Sequence, residues 1–239
     1  MNQRKGLFIA FEGIDGTGKT TQCKHLVERL QAEQYDVVPV RSPGTTQYGK
    51  RIREWLLNQN KLGVPSLTGE DELWLMVMDR VLLLQEVIEP ALAAGKVVIA
   101  DRWIPSTYVY QGLLRTVSME TIRQIHERLQ IRHPDVYIHL RVTTPESHHE
   151  IRQRIQARHE VMTPHDRIAL ERGEAMEAIY QAILEPFGHH GVMSPPIPST
   201  SVVVHNLDTF QPEDRLASEI FAEVRNALHI HCVPYRYRK

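Results

Sequence analysis

Eight consecutive residues near the start of the chain have the types and the spacing that bind nucleotide phosphates. Residues 13–20 read Gly-Ile-Asp-Gly-Thr-Gly-Lys-Thr and fit the pattern GxxxxGK[ST]. Glycines let the backbone approach a phosphate, and Lys19 would neutralise the β- and γ-phosphate oxygens, while Thr20 would bind Mg²⁺. The pattern predicts a bound nucleoside triphosphate with magnesium. The expected contacts are Gly13, Ile14, Asp15, Gly16, Thr17, Gly18, Lys19, Thr20 and Thr21.

Charged residues also follow two apolar segments that we predict to be strands. Arg41 ends residues 37–41, and Asp101 and Arg102 come directly after residues 97–100. Ligands of open α/β sheets bind at the carboxyl ends of the strands, so both arginines are expected beside the phosphate-binding loop, residues 13–20. Arginine binds phosphate in a planar, bidentate manner, which predicts a second phosphate there.

Asp101 is a carboxylate at the end of an apolar strand, where it needs a cation or hydrogen-bond donors. Mg²⁺ is the expected partner, and a structural bond to the helix after the loop is the alternative. If the acceptor is itself a phosphate, its oxygen is already ionised near neutral pH, so no general base is required. None of the 13 histidines occupies a motif of catalytic type.

Alternating segments must position these residues. Apolar, β-rich runs at 7–11, 37–41, 97–100, 136–142 and 202–204 predict strands. Helical periodicity predicts helices at 19–34, 48–58, 70–94, 119–129 and 212–228, with two more in 146–187. This alternation is typical of crossover units around a parallel sheet. Nearly every residue of 73–78 is apolar, so the helix over 70–94 is expected to be buried on several faces.

The composition is that of an ordinary globular protein, with 42% hydrophobic and 24% charged residues in 239. The length suits one domain over residues 1–239. A net charge of -1 argues against a nucleic-acid-binding surface. No apolar stretch approaches the roughly 20 residues that span a bilayer. Cys23 and Cys232 suggest neither a disulfide framework nor a metal cluster, and a cytoplasmic location is expected.

Four segments resemble the thymidylate kinases, in the order that this family has them. They are residues 11–22, 41–46, 101–112 and 133–135. The first, Phe-Glu-Gly-Ile-Asp-Gly-Thr-Gly-Lys-Thr-Thr-Gln, looks like the opening of the family. The second, Arg-Ser-Pro-Gly-Thr-Thr, departs from the family's Arg-Glu-Pro-Gly-Gly-Thr at Ser42 and Thr45. The third contains Asp-Arg and Tyr-Gln-Gly, and the fourth contains the Pro-Asp that leads into the fourth strand.

The resemblance implies a three-layer P-loop kinase fold of the α/β class, in which helices flank a five-stranded parallel sheet and form a lid. It also implies transfer of the γ-phosphoryl group of ATP to a pyrimidine deoxynucleoside monophosphate, with dTMP as the expected acceptor and Mg²⁺ as the cofactor. Lys19, Asp15, Arg102 and Arg158 are the catalytic residues that it implies. Asp15 would hold the deoxyribose 3′-hydroxyl or water bound to magnesium.

An acceptor pocket is implied as well. Arg80 fits the arginine that binds a thymine carbonyl, and Met76 lies one helical turn earlier, where the family usually has a stacking Phe. A Met covers a ring more loosely than an aromatic face does, and plain core packing is the alternative for Met76. The other implied acceptor contacts are Asp15, Arg41, Arg102, Ser106, Thr107, Tyr110 and Gln111. Trp103 and Trp74 are alternative apolar walls.

Residues 146–170 resemble the arginine-rich lid of the family, which closes over ATP. Gly16 occupies the loop position where some members carry an arginine, so the lid is expected to supply that charge. Arg158 is the first candidate and Arg154 the second. Ala169 stands where the family has a Glu, so the contact of that Glu is absent here.

Residues 188–201 are predicted to be an inserted loop, because prolines there support neither a helix nor a central strand. Residues 231–239 are predicted to be a C-terminal extension. A homodimer is implied by the resemblance, with the helix over 70–94 as a candidate interface. A kinase for dUMP or a 5-modified pyrimidine nucleotide stays open because of Met76, Ser42 and Ala169. A deoxynucleoside kinase, which would need a carboxylate base where Ser42 stands, and an ATP-binding scaffold are further alternatives.

Overall fold

The computed structural model describes residues 6–58, 66–157, 164–184 and 203–231. Its strands are β1 Leu7–Glu12, β2 Val37–Arg41, β3 Val97–Asp101, β4 Val136–Arg141 and β5 Val203–Asp208. They form one parallel sheet in the order β2-β3-β1-β4-β5. The predicted five-stranded parallel sheet is therefore confirmed. β5 extends beyond its predicted end at 204, because its polar residues His205 and Asn206 pair with β4 although they lack the apolar pattern.

Helices connect the strands and cover both faces of the sheet. They are α1 Lys19–Ala32, α2 Gln47–Asn58, α3 Gly69–Leu83, α4 Glu89–Ala93, α5 Ile104–Thr107, α6 Met119–Arg128, α7 Pro145–Gln156, α8 Pro164–Leu184 and α9 Glu213–His231. A π-helical turn, Leu84–Ile88, joins α3 to α4, and a second one, Tyr108–Leu113, follows α5. The predicted helix over 70–94 is thus α3, the first π-turn and α4. The helical segment over 104–113 was not predicted.

The central strand, β1, is buried on both of its faces, which explains why the fold has three layers. All six residues of β1 are buried, and successive side chains of a strand point to opposite faces. Leu7, Ile9 and Phe11 pack in the cluster that contains residues of α1 and α9. Phe8 and Ala10 pack in the cluster that contains residues of α3 and α4. A parallel strand covered on both faces is continuously apolar, as residues 7–11 are.

Helix α3 begins at a capping box and is only partly buried. The Thr68 hydroxyl accepts a bond from the Asp71 amide at 3.1 Å, and the Asp71 side chain accepts from the Thr68 amide at 2.9 Å. Leu73, Val77 and Leu83 lie in the core. The expectation that this helix is buried on several faces was wrong for one face, because Trp74 and Met78 are 55% and 52% exposed.

The strand register brings the predicted site residues to one edge of the sheet. Arg41 of β2 and Phe11 of β1 are both paired with Asp101 of β3, and Glu12 is paired with His139 of β4. The carboxyl ends of four neighbouring strands therefore meet where the phosphate-binding loop begins. No helix in the described ranges combines the length and the apolar character that crossing a bilayer requires.

Candidate active site

The phosphate-binding loop joins β1 to α1 and is built on glycine geometry. Gly13 has φ +140, and a Cβ there would lie 2.6 Å from the Leu140 carbonyl oxygen of β4, so only glycine fits. Lys19, in the first turn of α1, is buried, and its Nζ donates to the Ile14 carbonyl at 2.6 Å. Burial, with Arg102 nearby, lowers the pKa of Lys19 to about 8. The loop thus holds the positive charge of Lys19 in a position where a bound anion would stabilise that charge.

Thr20 and Asp101 lie side by side, as both were predicted to do at a metal site. The Thr20 hydroxyl donates to Asp101 Oδ2 at 2.8 Å, and Arg41 Nε is 3.8 Å from the same oxygen. A hydroxyl and a carboxylate are the hard oxygen donors that Mg²⁺ binds, and it usually binds through one or two carboxylates and substrate phosphates. The described residues contain no group of three or more His, Cys, Asp or Glu side chains arranged to hold a metal. The pair therefore suits a metal that is also held by phosphate.

Arg102 connects β3 to the phosphate-binding loop. Its Nη2 donates to Asp15 Oδ1 at 2.6 Å, and its Nη1 lies 3.2 Å from the Gly13 carbonyl oxygen and 3.0 Å from the Tyr180 hydroxyl. Its φ of +76 is unusual for a residue with a side chain, and such strain clusters at active sites. Burial opposes its charge, yet Tyr110 and Asp15 hold the pKa of Arg102 well above its usual range. This cation stays charged in the loop.

Two residues that were not predicted from the sequence support Arg102, Tyr180 directly and Glu12 through Ser106. Glu12 is fully buried and accepts from the Trp103 amide at 2.7 Å and from the Ser106 hydroxyl at 2.6 Å. Tyr180 of α8 lies 2.9 Å from the Ser106 hydroxyl oxygen and accepts from Arg102. A carboxylate that closes an apolar strand was a usable signal for Glu12, as it was for Asp101. Tyr180 offered no such signal, because it comes from a helix 78 residues away from Arg102.

Arg53 is a third arginine near the strand ends, and it too was not assigned. It lies in α2, and its Nη1 donates weakly to the Pro43 carbonyl at 3.5 Å. Burial lowers its pKa, and the neighbouring positive charges of Arg41 and Arg102 lower it further. An anion bound near Arg41, Arg53 and Arg102 would offset the repulsion that lowers the pKa of Arg53.

Arg80 was predicted to contact a thymine carbonyl, and the structure covers it completely. Its guanidinium has no exposed surface. Nη1 donates to the Thr107 hydroxyl at 2.5 Å and to His126 Nε2 at 2.9 Å, and Nη2 donates to the Trp103 carbonyl at 2.6 Å. Nε has no partner in the described part of the chain. Direct contact with a base requires movement of the surrounding side chains, and that contact stays a prediction.

The other predicted acceptor residues near Arg80 and Arg102 differ in how far they are buried and bonded. Met76 is 8% exposed. Thr107 is fully buried, and Ser106 is tied to Glu12. Burial raises the pKa of Tyr110, so its hydroxyl keeps its proton and donates to Asp15 Oδ2 at 2.6 Å. Their contacts with an acceptor are untested and stay predictions.

The second π-turn places Tyr110 and Gln111 at the site. π-Helical turns often occur at functional sites. Gln111 is 5% exposed, and its Nε2 lies 3.5 Å from Glu72 Oε2 of α3. Trp103 is fully buried, whereas Trp74 is 55% exposed. Of the two alternative apolar walls, Trp103 alone belongs to the interior of the molecule.

Helix α7, the first helix of the predicted lid, packs against the phosphate-binding loop. A Cβ at Gly16, whose φ is +91, would lie 2.8 Å from Ile151 and 3.2 Å from Ile155. A longer side chain at residue 16 would therefore collide with the lid. Arg154 is half-exposed and pairs with Glu150 on the same helix. Arg158 lies outside the described residues, as do the predicted insertion over 188–201 and residues 232–239 of the extension.

An open groove of about 560 Å³ lies beside the lid. Its walls include Glu146, His149, Gln153 and Arg154 of α7, together with Phe210, which follows β5 and is 50% exposed. The Thr209 hydroxyl next to Phe210 donates to the Thr17 carbonyl at 2.7 Å. This bond attaches the segment after β5, which includes Phe210 on the groove wall, to the phosphate-binding loop.

Comparisons with known proteins agree with this geometry. The family model described as Thymidylate kinase matches residues 11–191, more than half of the chain. The chain is 42% identical to a thymidylate kinase of Caldanaerobacter subterraneus over 143 residues, 59% of this chain and 67% of the relative. It is 48% identical to that of Desulforapulum autotrophicum over 120 residues, 50% of this chain and 52% of the relative. It is 44% identical to the thymidylate kinase of Ruegeria pomeroyi over 132 residues, 55% of this chain and 61% of the relative.

Proposed function

The chain belongs to the thymidylate kinase family, and from this premise we propose that it transfers the γ-phosphoryl group of ATP to dTMP, giving dTDP and ADP. The observation that carries the proposal is the position of Arg102. Its guanidinium contacts Asp15 and Gly13 of the phosphate-binding loop. Arg102 is a cation that suits the phosphate of the acceptor, and it lies directly beside the loop that suits the phosphates of ATP.

Three arginines are proposed to hold the acceptor phosphate. Arg41 and Arg102 lie at neighbouring strand ends, and Arg53 faces them from α2. The lowered pKa of Arg53 supports this assignment, because an arriving dianion would offset the mutual repulsion of the three cations. Guanidinium groups also fix the orientation of a phosphate through bidentate bonds.

Catalysis then consists of alignment and neutralisation of charge. The acceptor oxygen of dTMP is ionised, so it needs no base, and the reacting phosphates need only to be held in line. Lys19 would exchange its bond with the Ile14 carbonyl for one with a phosphate oxygen that gains charge in the transition state. Asp15, held by Arg102 and Tyr110, would orient the sugar of the acceptor.

Thr20 and Asp101 are proposed to hold Mg²⁺ together with the phosphates of ATP. Bound there, the ion would neutralise part of the charge on the phosphates. Arg41 beside Asp101 keeps that carboxylate oriented toward the loop.

The lid and the groove are proposed to serve ATP. Arg154, and Arg158 beyond the described residues, would supply the positive charge that Gly16 cannot provide. The exposed ring of Phe210 would cover one face of the adenine in the groove beside the lid.

The proposed acceptor excludes a deoxynucleoside kinase on a further physical ground. A 5′-hydroxyl acceptor needs a carboxylate base after β2, and Ser42 occupies that position. The Ser42 hydroxyl donates to Asp79 Oδ2 at 2.7 Å, and the Asp79 carboxylate is fully buried. The relatives reported above give this alternative no support.

We also propose a homodimer in the cytoplasm. Trp74 and Met78 are one turn apart on α3 and more than half exposed, and large exposed apolar side chains mark interaction sites. Trp74→Glu is expected to convert a dimer to a monomer in sedimentation equilibrium. A wild-type protein that sediments as a monomer at all concentrations would contradict the dimer.

An assay of ADP release across a panel of acceptors tests the function. The panel contains dTMP, dUMP, dCMP, dGMP and thymidine, with ATP and Mg²⁺ at saturating concentrations. We expect the highest kcat/KM for dTMP and no turnover of thymidine. Turnover of thymidine, or a preference for dCMP or dGMP, would overturn the proposal. The Lys19→Ala protein in the same assay identifies ADP release by contaminating enzymes.

A further inference from the structure

The guanidinium of Arg80 is a buried cation whose described hydrogen-bond partners are all uncharged. Thr107, His126 and the Trp103 carbonyl accept its bonds, and no salt bridge of Arg80 occurs in the described part of the chain. A buried charge without a carboxylate partner depends on the number and placement of its hydrogen bonds. The orientation of this guanidinium therefore depends on those three acceptors.

His126 is the acceptor that comes from outside the site. Its Nδ1 is 2.7 Å from the Ile122 carbonyl oxygen, which can only accept, so the proton lies on Nδ1. Nε2 then carries a lone pair and accepts from Arg80 Nη1 at 2.9 Å. Burial, with Arg80 beside it, lowers the pKa of His126 to about 3. The imidazole is therefore neutral and remains an acceptor at every pH at which the protein works.

The ring of His126 is fixed by its surroundings. It stacks on Tyr108 with centroids 6.5 Å apart and planes at 25°, and its residue is 4% exposed. Tyr108 opens the π-turn that carries Tyr110, so α6 is attached to the same segment as the acceptor residues. His126 itself has almost no surface to offer a substrate and can influence one only through Arg80.

We propose that His126 is a positioning residue for acceptor recognition, which holds the Arg80 guanidinium in one orientation and leaves its Nε–H for the pyrimidine once the surrounding side chains have moved. The inference rests on the proposed function, in which Arg80 contacts the base. Nη1 is used by His126 and Thr107, and Nη2 by Trp103, which leaves Nε without a described partner. Without His126, Nη1 loses one of its two acceptors and the guanidinium can rotate toward other partners.

Steady-state kinetics of His126 variants test the proposal. His126→Leu removes the acceptor and should raise KM for dTMP about tenfold, with kcat and KM for ATP within about twofold of wild type. His126→Gln retains an acceptor oxygen of similar reach and should restore KM to within about threefold. His126→Asn is polar but shorter, and should behave like the Leu variant. As KM for dTMP rises, the ratio of kcat/KM for dTMP to kcat/KM for dCMP should fall.

Two further proteins separate positioning from general packing. His133→Leu is the matched control, because His133 is a partly buried histidine near α6 that has no described bond to Arg80, and the KM of this variant for dTMP should not change. The double variant His126→Leu with Arg80→Met should have the same KM as Arg80→Met alone, because the effect of His126 passes through Arg80. Thermal unfolding of each protein shows whether it is folded.

Several results would overturn the inference. They are an unchanged KM in folded His126→Leu or His126→Asn, no rescue by His126→Gln, and a further rise of KM in the double variant. An Arg80→Met protein with wild-type KM and selectivity would also overturn it, while wild-type turnover of dTMP would leave the proposed function standing. A wild-type protein that does not phosphorylate dTMP would instead refute the proposed function itself.

Discussion

The phosphate-binding loop and the acceptor side of the site are assembled in different ways. The loop is eight consecutive residues between β1 and α1, and its groups are largely backbone amides and one lysine. The acceptor side combines residues of β2, α2, α3 and the segment after β3, with Tyr180 of α8 and His126 of α6 behind them. A contiguous loop keeps its geometry through local backbone conformation. A site assembled from distant elements depends on side chains that hold other side chains.

Lys19→Ala is the change expected to have the largest effect, because it removes the one cation of the loop. We expect kcat to fall at least about 10²- to 10³-fold, the usual cost of losing one preorganised transition-state donor. The fold should survive, since the side-chain hydrogen bonds of Lys19 in the described part of the chain lie within its own loop. ADP-release kinetics and thermal unfolding measure both effects. A folded Lys19→Ala protein with nearly normal kcat would show that the phosphate-binding loop does not stabilise the transition state.

Arg102→Ala should act mainly on the acceptor side. The loss of a charged, buried donor to phosphate is expected to cost about 2–4 kcal/mol in kcat/KM for dTMP, with KM for ATP changed far less. Arg123→Ala is the matched control, since Arg123 is a surface arginine paired with Glu120 and Glu127, and such pairs contribute little. If ATP affinity fell and acceptor kinetics held, Arg102 would belong to the donor side.

The pH dependence of ATP binding should separate the two regions further. The pKa of Lys19 is lowered to about 8, so its positive charge is complete below that pH and is lost as the pH rises through it. A ligand that needs the charged form should bind about tenfold more weakly at pH 9 than at pH 7. Calorimetric titration with a non-hydrolysable ATP analogue measures this. Lys19→Arg keeps its charge, so its affinity for the analogue should change little with pH. If the affinities of the wild type and Lys19→Arg changed with pH in parallel, a titrating group other than Lys19 would be responsible.

Met76→Phe should produce the smallest effect, confined to the acceptor base. An aromatic ring at this position is expected to tighten dTMP binding by roughly 0.5–1.5 kcal/mol and to reduce the tolerance for bulky groups on the pyrimidine 5-carbon. Leu129→Phe, directly after α6 and 43% exposed, is the control. The measurement is kcat/KM for dTMP, dUMP and larger 5-substituted analogues. An unchanged profile in Met76→Phe would remove Met76 from the pocket.

The predictions from sequence agreed best with the structure where local patterns determine local conformation. The five strands and the helices α1, α2 and α6 begin within a residue or two of their predicted positions, because apolar runs and helical periodicity act over a few residues. The helical segment over 104–113 was missed, since β-branched residues, a proline and a glycine hide its periodicity. Trp74 and Met78 were misjudged for a different reason, because apolarity alone does not tell which face of a helix meets the core.

The sequence by itself determined the phosphate-binding loop, the strand-end position of Arg41, Asp101 and Arg102, and the parallel sheet that brings them together. Each of these follows from neighbours along the chain and from the register of adjacent strands. Only the tertiary structure decided that Glu12 holds the segment after β3, that Tyr180 contacts Arg102, and that His126 contacts Arg80. Those contacts join residues 46 to 91 positions apart, and no local pattern encodes which distant side chain a buried charge will meet. Burial makes such partners necessary, and packing alone selects them.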